Sequence, residues 1–224
     1  MLVAFSVENY RSFKGRVTLS MVAADLSSKP KELDSTNVFQ ARDNLTLLTS
    51  AAIYGANASG KSNLVAAMNF MRSFVLNSSR ETQLREPVRV APYRLSTETE
   101  KSPSYFEIVF VQAGVIYRYG FLVGRAGVEE EWLYATVEKK EAYLFERNLE
   151  EIKVNKRTFK EGEGLQERTR PNALFLSVVT QWNGKRAGKI LEWFEKLVVN
   201  TGVDDQVAQR RSSQRLSLIH ISEP

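Results

Sequence analysis

Alternating apolar and polar residues predict two β-strands near the N-terminus. In residues 2–8, the side chains of Val3, Phe5 and Val7 alternate with Leu2, Ala4 and Ser6, which is the period-two pattern of a strand. Residues 17–21 repeat the pattern, and residues 11–15 connect the two runs. The next stretch, residues 24–45, is polar and irregular and predicts a loop.

The middle of the chain predicts a strand followed by a helix. Residues 47–54 form an apolar run that indicates a buried strand. Beyond it, apolar side chains recur at offsets of four, three and four, at Leu64, Met68, Met71 and Val75. This spacing predicts a helix from about residue 60 to about residue 76. Residues 77–103 are polar again and predict a segment rich in loops.

Residues 104–154 carry the strongest strand pattern. Two alternating runs flank Ala113 and Gly114, which predicts a hairpin. A second turn at residues 124–127 leads into a run around Trp132, and residues 143–145 and 152–154 predict one more hairpin. After Pro171 the apolar residues recur with helical spacing. The pattern therefore predicts an α/β fold in which an antiparallel sheet is followed by helices.

Between the predicted strand and helix of the middle region lies a glycine-rich motif. Residues 55–62 read Gly-Ala-Asn-Ala-Ser-Gly-Lys-Ser and fit the phosphate-loop pattern G-x-x-x-x-G-K-[ST] without a mismatch. Gly55 and Gly60 lack a Cβ, so the chain can curve tightly and present N–H groups to a phosphate at the positive end of the helix. Lys61 would contact the β- and γ-phosphates, and Ser62 would ligate Mg²⁺. The alternative is a glycine-rich turn before an ordinary helix.

Composition narrows the class of protein only slightly. The 224 residues, 43% of them hydrophobic, suffice for a real core in one large domain or two small ones. The sequence has neither an apolar run of membrane-spanning length nor the basic start of a signal peptide, so we expect a cytoplasmic protein without membrane contact. The absence of cysteine excludes disulfides, thiolate metal sites and cysteine nucleophiles. A net charge of +5 permits a nucleic-acid partner without arguing for one.

The last nine residues are a separate matter. Residues 216–224 read Leu-Ser-Leu-Ile-His-Ile-Ser-Glu-Pro, which is the translation of CTGTCTCTTATACACATCTCCGAGCCC. This DNA looks like the transposase adapter used to build sequencing libraries, so we expect the segment to be an artefact and the natural protein to continue beyond Arg215. The alternative is a short apolar strand or tail. The segment contains His220, the only histidine in the sequence, so no histidine chemistry is expected.

The order of elements favours one class of phosphate-loop protein. In small-molecule kinases and Ras-like GTPases the loop usually follows the first strand, whereas in this chain two predicted strands precede the strand that enters the loop. The guanine-recognition motif Asn-Lys-x-Asp is absent, because Asn155 and Lys156 are followed by Arg157 and Thr158. An antiparallel pair, then a phosphate loop and helix, then antiparallel hairpins is the order seen in ABC-type ATPase heads.

Two motifs make the resemblance specific. Residues 7–13, Val-Glu-Asn-Tyr-Arg-Ser-Phe, resemble the opening "ENFRSF" strand and turn of the SMC, RecF and OLD group of ABC-type ATPases. Residues 55–63 resemble the "GxNxSGKSN" loop of that group, in which Asn57 and Asn63 extend the match beyond the generic pattern. Residues 117–121, 131–133 and 144–147 resemble the sheet of the stand-alone bacterial AAA-type ATP-binding proteins often found in phage-defence and mobile-element loci. The resemblance covers roughly residues 1–205.

The resemblance implies a truncated ABC-type ATPase head with three parts. Residues 1–170 would be an N-terminal lobe with the phosphate loop and an antiparallel β-subdomain, residues 171–215 the start of a helical region, and residues 216–224 the adapter artefact. The implied ligands are ATP and Mg²⁺. Contacts with the nucleotide are implied for Gly55, Asn57, Ala58, Ser59, Gly60, Lys61, Ser62 and Asn63, together with Arg11 from the N-terminal turn. Ser62 and Gln181, as the magnesium-sensing glutamine, would be the metal ligands; the alternatives are a surface arginine for Arg11 and a polar helix end for Gln181.

The motifs that complete an ABC-type ATPase are missing. The group needs an apolar strand ending in Asp-Glu, and the nearest candidate, which ends at Asp204 and Asp205, is interrupted by Gly202. We expect these two carboxylates to form a solvated acidic turn. The sequence also lacks a Leu-Ser-Gly-Gly-type signature and a switch histidine. Because these motifs lie toward the C-terminus in the group, truncation accounts for their absence, and the chain as given is expected to bind nucleotide weakly and not to hydrolyse it.

The expected function of the full-length protein is Mg²⁺-dependent ATP hydrolysis that drives a conformational change, in DNA repair, DNA maintenance or phage defence. The resemblance implies a head-to-tail homodimer and allows DNA or an effector protein as a partner. The basic residues Lys185, Arg186, Arg210, Arg211 and Arg215 would contact DNA phosphate or simply be solvated. Two other functions remain open: a phosphotransferase such as a small-molecule kinase, and a non-catalytic nucleotide-binding module.

Overall fold

A seven-stranded antiparallel sheet is the largest element of the fold. The structure, a computed structural model, describes residues 1–24, 36–42, 44–81, 83–138, 140–149 and 151–200. The strands are β1 (Leu2–Glu8), β2 (Val17–Ser20), β3 (Val38–Arg42), β4 (Leu45–Leu48), β5 (Ser104–Gln112), β6 (Val115–Val123), β7 (Val128–Val137), β8 (Lys140–Arg147) and β9 (Ile152–Val154). The sheet order is β2-β1-β5-β6-β7-β8-β9, and β3 pairs with β4 in a separate hairpin.

The predicted strands and turns of the large sheet are confirmed. β1 and β2 pair as the N-terminal antiparallel pair. β5 and β6 pair around Ala113 and Gly114, and β8 pairs with β9 as the last hairpin. Successive side chains of a strand point to opposite faces, so Phe106, Ile108 and Phe110 of β5 lie together on one buried face.

Helices cover that buried face. They are α1 (Lys61–Glu81), α3 (Phe175–Gln181) and α4 (Lys185–Lys196); the short α2 (Thr97–Glu100) buries none of its residues, and a 3₁₀ turn spans Lys160–Gly162. Side chains of α1, α3 and α4 share one hydrophobic cluster with β1 and β5–β8. The predicted helices after Pro171 are confirmed. The proposed division at residue 170 stays a prediction, although buried residues from both sides of it lie in this one cluster.

Helix α1 is longer than its apolar spacing predicts. It ends at Glu81 rather than near residue 76. The added turn is polar, but Ser78 and Ser79 are buried, and Ser79 Oγ lies 2.7 Å from Ser177 Oγ of α3. A hydrogen bond to the neighbouring helix thus takes the place of apolar packing in this turn.

The predicted loop over residues 24–45 is wrong where the structure describes it, because β3 occupies Val38–Arg42. The β3–β4 hairpin packs on a second, smaller cluster of Val3, Leu47 and Val111. Arg42 also donates from Nη1 to the carbonyl oxygen of Thr136, 2.9 Å away. These long-range contacts stabilise a short strand that lies in a polar and irregular stretch of the sequence.

The predicted buried strand over residues 47–54 is also wrong beyond β4. Regular structure ends at Leu48, and the chain then runs without regular secondary structure into the glycine-rich loop. Ile53 and Tyr54 are 48% and 90% exposed. Within the described ranges this stretch has no neighbouring strand, and an extended segment without one lacks the ladder of hydrogen bonds that defines a strand. None of the helices in those ranges is long and apolar enough to cross a membrane.

Candidate functional site

The glycine-rich loop leads directly into helix α1. Residues 55–59 are exposed, and Gly60 is buried at the point where the helix begins. Gly60 has a φ of 96°, and Ala58 has a φ of 63°. A Cβ added at Gly60 would lie 2.9 Å from Ser12 Oγ and 3.2 Å from the Phe13 ring, so both the backbone angle and the contact require glycine.

Lys61, the first residue of α1, folds back over the loop. Its Nζ donates to the carbonyl oxygens of Gly55 and Ala56, at 2.6 Å and 2.7 Å. In the part of the chain that the structure describes, Lys61 forms no ion pair with a carboxylate. The ammonium group therefore lies inside the curve of the loop with only neutral partners among the described residues, and an anion bound there would find an uncompensated positive charge.

A second glycine-lysine pair, at the start of another helix, differs from the start of α1 in the groups that accept from its N–H groups. Gly184 and Lys185 also begin a helix, α4. There the carboxylate of Glu161 accepts hydrogen bonds from the backbone N–H groups of Arg186 and Ala187, at 3.0 Å and 2.7 Å. The first turn of α1 has no acidic residue, and no described side chain accepts from its N–H groups. The positive end of α1 is thus left for a ligand, whereas that of α4 is filled by the protein.

The N-terminal turn of residues 10–13 lies against this loop. The backbone groups of Tyr10 and Phe13 exchange two hydrogen bonds, of 3.0 Å and 2.9 Å, which close the turn. Asn63 of α1 donates from Nδ2 to Ser12 Oγ, 2.8 Å away. The structure therefore brings together the two motifs of the resemblance, although about fifty residues separate them in the sequence.

Asn9 holds the base of this turn from the other side. It is buried, with a φ of 50°. Its Nδ2 lies 2.8 Å from the carbonyl oxygens of both Thr99 and Ser102, and its Oδ1 accepts from the N–H of Tyr93 at 3.0 Å. The asparagine thereby fastens the end of β1 to the segment around α2.

Arg11 occupies the tip of the turn. Its φ is 50°, a left-handed conformation that costs a non-glycine residue about 1–3 kcal/mol. Its N–H donates to the carbonyl oxygen of Ala91 at 2.8 Å, and its guanidinium carbon lies 5.5 Å from the centre of the Tyr10 ring. Burial raises the pKa of Tyr10, and the charge of Arg11 opposes that rise. None of the described carboxylates pairs with Arg11, so among the described residues its charge is not neutralised by an acidic partner.

The remaining loop residues are placed as follows. Asn57, Ala58 and Ser59 form the exposed outer part of the loop, and Ser62 is exposed in the first turn of α1. Ser59 Oγ lies 3.4 Å from Lys61 Nζ. The side-chain amide of Asn63 donates to Ser12 Oγ, so its direct role in this structure is to hold the turn rather than to face the loop.

The structure does not bring Gln181 together with Ser62. Gln181 is the exposed last residue of α3. That helix meets α1 at Ser79, whose Oγ lies 2.7 Å from Ser177 Oγ. At about 1.5 Å per residue, Ser79 lies about 27 Å along α1 from Lys61, whereas Gln181 is only about 6 Å beyond Ser177. Its side chain is too short to span the difference.

Several other predicted residues lie away from the loop or outside the description. Lys185 and Arg186 begin α4, and Arg186 donates from Nη1 to the carbonyl oxygen of Thr158. Asp204, Asp205, Arg210, Arg211, Arg215 and the predicted adapter segment with His220 lie outside the described residues. Within the described ranges, no group of three or more histidine, aspartate or glutamate side chains could hold a metal ion.

Sequence reasoning missed the part that Ser12 and Asn9 play at the site. Both belong to the motif of residues 7–13, which indicated a resemblance without indicating contacts. The signal in the sequence was that the two motifs of the resemblance occur in the same chain, each with a polar residue beyond the generic pattern. Only the fold shows that Ser12 and Asn63 are hydrogen-bonded partners.

A glycine loop before a helix, with a lysine folded into its curve, defines the class of P-loop nucleotide-binding proteins. The family model described as "AAA domain, putative AbiEii toxin, Type IV TA system" matches residues 50–207, which is more than half of the chain. The chain belongs to this AAA-domain family. Membership supports a P-loop ATPase of AAA or ABC type, with a mixed α/β fold and nucleotide binding. A comparison with curated proteins finds no match.

Proposed function

We propose that this protein binds ATP with Mg²⁺ at residues 55–63, with Arg11 beside the phosphates, and that the complete protein hydrolyses ATP. The observation that carries the proposal is the pair of hydrogen bonds from Lys61 Nζ to the carbonyl oxygens of Gly55 and Ala56. They hold the ammonium group where the phosphate-loop pattern requires it. Phosphate oxygens would replace these neutral acceptors with charged ones, so that both partners of each hydrogen bond would carry charge.

The chemistry of the loop also fits a magnesium ion. Ser62 presents an exposed hydroxyl in the first turn of α1, and a hydroxyl beside the phosphates is the usual protein ligand of Mg²⁺ in this kind of loop. When bound, the ion would neutralise part of the phosphate charge. Gln181 is not part of the proposed metal site, because the fold keeps it far from Ser62.

Hydrolysis would be the attack of water on the γ-phosphorus, which breaks its bond to the bridging oxygen and releases ADP and inorganic phosphate. Lys61, Arg11 and the N–H groups at the start of α1 would stabilise the charge that spreads over the phosphate oxygens. We further propose that the protein belongs to the SMC, RecF and OLD group, with a head-to-tail homodimer completing the site. The support for this finer assignment is the contact between the residue 10–13 turn and the loop, which joins the two motifs that resemble that group.

The resemblance also supports a proposal for the biological setting of the activity. We propose a cytoplasmic role in DNA repair, DNA maintenance or phage defence, in which hydrolysis drives a conformational change in a DNA-bound or effector-bound assembly. The family description names a putative AbiEii toxin of a Type IV TA system. The support for a phage-defence role is the resemblance of the sheet to stand-alone ATP-binding proteins of phage-defence loci.

A binding titration tests the proposal. A fluorescent ATP analogue with Mg²⁺ would be titrated into the wild-type chain, Lys61→Ala and Lys185→Ala. Each substitution removes the first lysine of a helix that follows a glycine, but Glu161 already fills the start of α4. We expect Lys61→Ala to lose about 1.5–3 kcal/mol of binding free energy and Lys185→Ala to bind as the wild type does. Equal affinity of the wild type and Lys61→Ala would contradict the proposal.

A further inference from the structure

The contact between Ser12 and Asn63 joins the turn that carries Arg11 to the helix that carries Lys61. Asn63 Nδ2 donates to Ser12 Oγ at 2.8 Å, and the same Ser12 oxygen lies 2.9 Å from the position that a Cβ on Gly60 would occupy. The Phe13 ring lies 3.2 Å from that position. The turn is therefore packed on the last residue of the loop and hydrogen-bonded to the first turn of the helix.

The backbone of the turn that makes this contact is strained at its tip. Arg11 has a φ of 50°, in the left-handed region that arginine rarely adopts. Strained backbone persists only where the surroundings enforce it, and it is concentrated at binding sites. Three contacts enforce it here: Asn9 at the base, the N–H of Arg11 on the carbonyl oxygen of Ala91, and Ser12 on Asn63. Only the third reaches the phosphate loop.

We propose that Ser12 and Asn63 act together as positioning residues that hold Arg11 beside the bound phosphates. This inference rests on the proposed ATP site. Neither side chain needs to touch the nucleotide: Ser12 is the acceptor that Asn63 requires, and Asn63 fixes the turn relative to α1. Loss of either partner would free the turn from the helix. Nucleotide binding would then have to order Arg11, which costs free energy that the wild type does not lose on binding.

The test uses the 224-residue chain with the single variants Ser12→Ala and Asn63→Ala and the double variant. The control is Ser6→Ala, which removes a serine hydroxyl that also makes a 2.8 Å hydrogen bond, to Thr18 between β1 and β2. Affinity for the fluorescent ATP analogue with Mg²⁺ and the thermal midpoint are measured for each variant. Ser12→Thr keeps the hydroxyl and is included as a rescue.

We expect both single variants to lose affinity by a similar factor of about five, and the double variant to be no weaker than either, because all three remove the same contact. Ser6→Ala and Ser12→Thr should bind as the wild type does. Wild-type affinity in either Ser12→Ala or Asn63→Ala would overturn the proposal. So would losses that multiply in the double variant, or a loss equal to that of Ser6→Ala.

Hydrogen exchange without nucleotide separates this inference from the proposed function. Ser12→Ala and Asn63→Ala should speed exchange of the amides of Arg11 and Phe13, which are hydrogen-bonded in the wild type, and leave β5 and β6 unchanged. If the wild-type chain binds no ATP analogue, the proposed function fails and with it the positioning role. Faster exchange in the variants would then show that the contact stabilises the turn without a role in binding. Unchanged exchange would show that the contact does not stabilise the turn.

Discussion

Gly60 is the residue at which the phosphate loop, helix α1 and the N-terminal turn meet. Its positive φ of 96° and its closeness to Ser12 and Phe13 are two separate reasons for glycine. The first reason concerns the backbone alone, and the second concerns the turn that carries Arg11. A pair of substitutions can tell them apart.

Gly60→Ala is expected to lower the free energy of unfolding by about 1–3 kcal/mol, since alanine is strained at this φ and its Cβ would collide with the turn. It should also weaken ATP binding at least about tenfold, because the turn or the loop must move. Gly164→Ala is the control, as Gly164 has a φ of 79° with no atom within 4 Å of an added Cβ. Urea denaturation and ATP titration of both variants check this, and unchanged ATP affinity in Gly60→Ala would count against a tight contact.

At the scale of single elements, the apolar run of residues 47–54 divides into two parts of different character. Leu47 is 1% exposed in β4, whereas Ile53, six positions later, is 48% exposed in the irregular stretch before the loop. Apolar content predicted one buried strand for both. Burial depends on a neighbouring strand to pair with, and pairing between distant segments is not encoded in the run itself.

Substitution of these two residues measures the difference. Leu47→Ala should cost about 2–5 kcal/mol of stability, through lost packing against Val3 and Val111. Ile53→Ala should change stability by no more than about 0.5 kcal/mol. Both values come from urea denaturation of the same chain. A cost for Ile53→Ala as large as that for Leu47→Ala would mean that residues 50–54 are a buried strand after all.

Strand β7 and helix α3 are joined by a buried glutamate. Glu131 is fully buried and accepts hydrogen bonds from the N–H groups of Phe175 and Leu176, at 2.6 Å and 3.1 Å, and from the Tyr119 hydroxyl at 2.9 Å. Arg147 lies 3.8 Å from it. Burial raises the pKa of Glu131 above its ordinary value near 4.5, against the opposing effects of Arg147 and the two N–H groups.

Glu131→Gln should lower stability by about 1–3 kcal/mol, because an amide NH₂ would face one of these donors. The pH dependence follows from the raised pKa. Below pH 4.5 the carboxyl is protonated in both the folded and the unfolded state. As pH rises, the unfolded chain loses its proton first, so the stability of the wild type falls until the pH passes the pKa of the folded state. Glutamine does not titrate. The stability gap between the two proteins should therefore narrow as pH rises, in urea denaturation between about pH 4.5 and 8.

The neighbouring Glu130→Gln serves as the control for this substitution. Glu130 precedes Glu131 in β7 and is exposed, so its variant should stay within about 0.5 kcal/mol of the wild type. A stability gap for Glu131→Gln that widens with rising pH would show that the folded protein favours the charged carboxylate, opposite to the direction given by burial.

At the scale of the whole molecule, the sequence predicts local pattern well and long-range pairing poorly. The hairpin around Ala113 and Gly114 follows from alternation and turn residues, which are properties of neighbouring residues. The β3–β4 hairpin escapes prediction because it depends on Val3 and Val111, far away in the sequence. The same holds for the site. The loop pattern identifies Lys61 directly, whereas the Ser12–Asn63 contact and the distance of Gln181 from Ser62 follow only from how the helices and the turn pack.

The central claim is that Lys61 holds phosphate within the loop of residues 55–62. The most direct measurement is a crystal structure of the chain with Mg²⁺ and a non-hydrolysable ATP analogue. The account predicts that Lys61 Nζ leaves the carbonyl oxygens of Gly55 and Ala56 and lies about 2.7–2.9 Å from the β- and γ-phosphate oxygens. A structure in which the nucleotide binds elsewhere, while Lys61 keeps its two carbonyl partners, would contradict it.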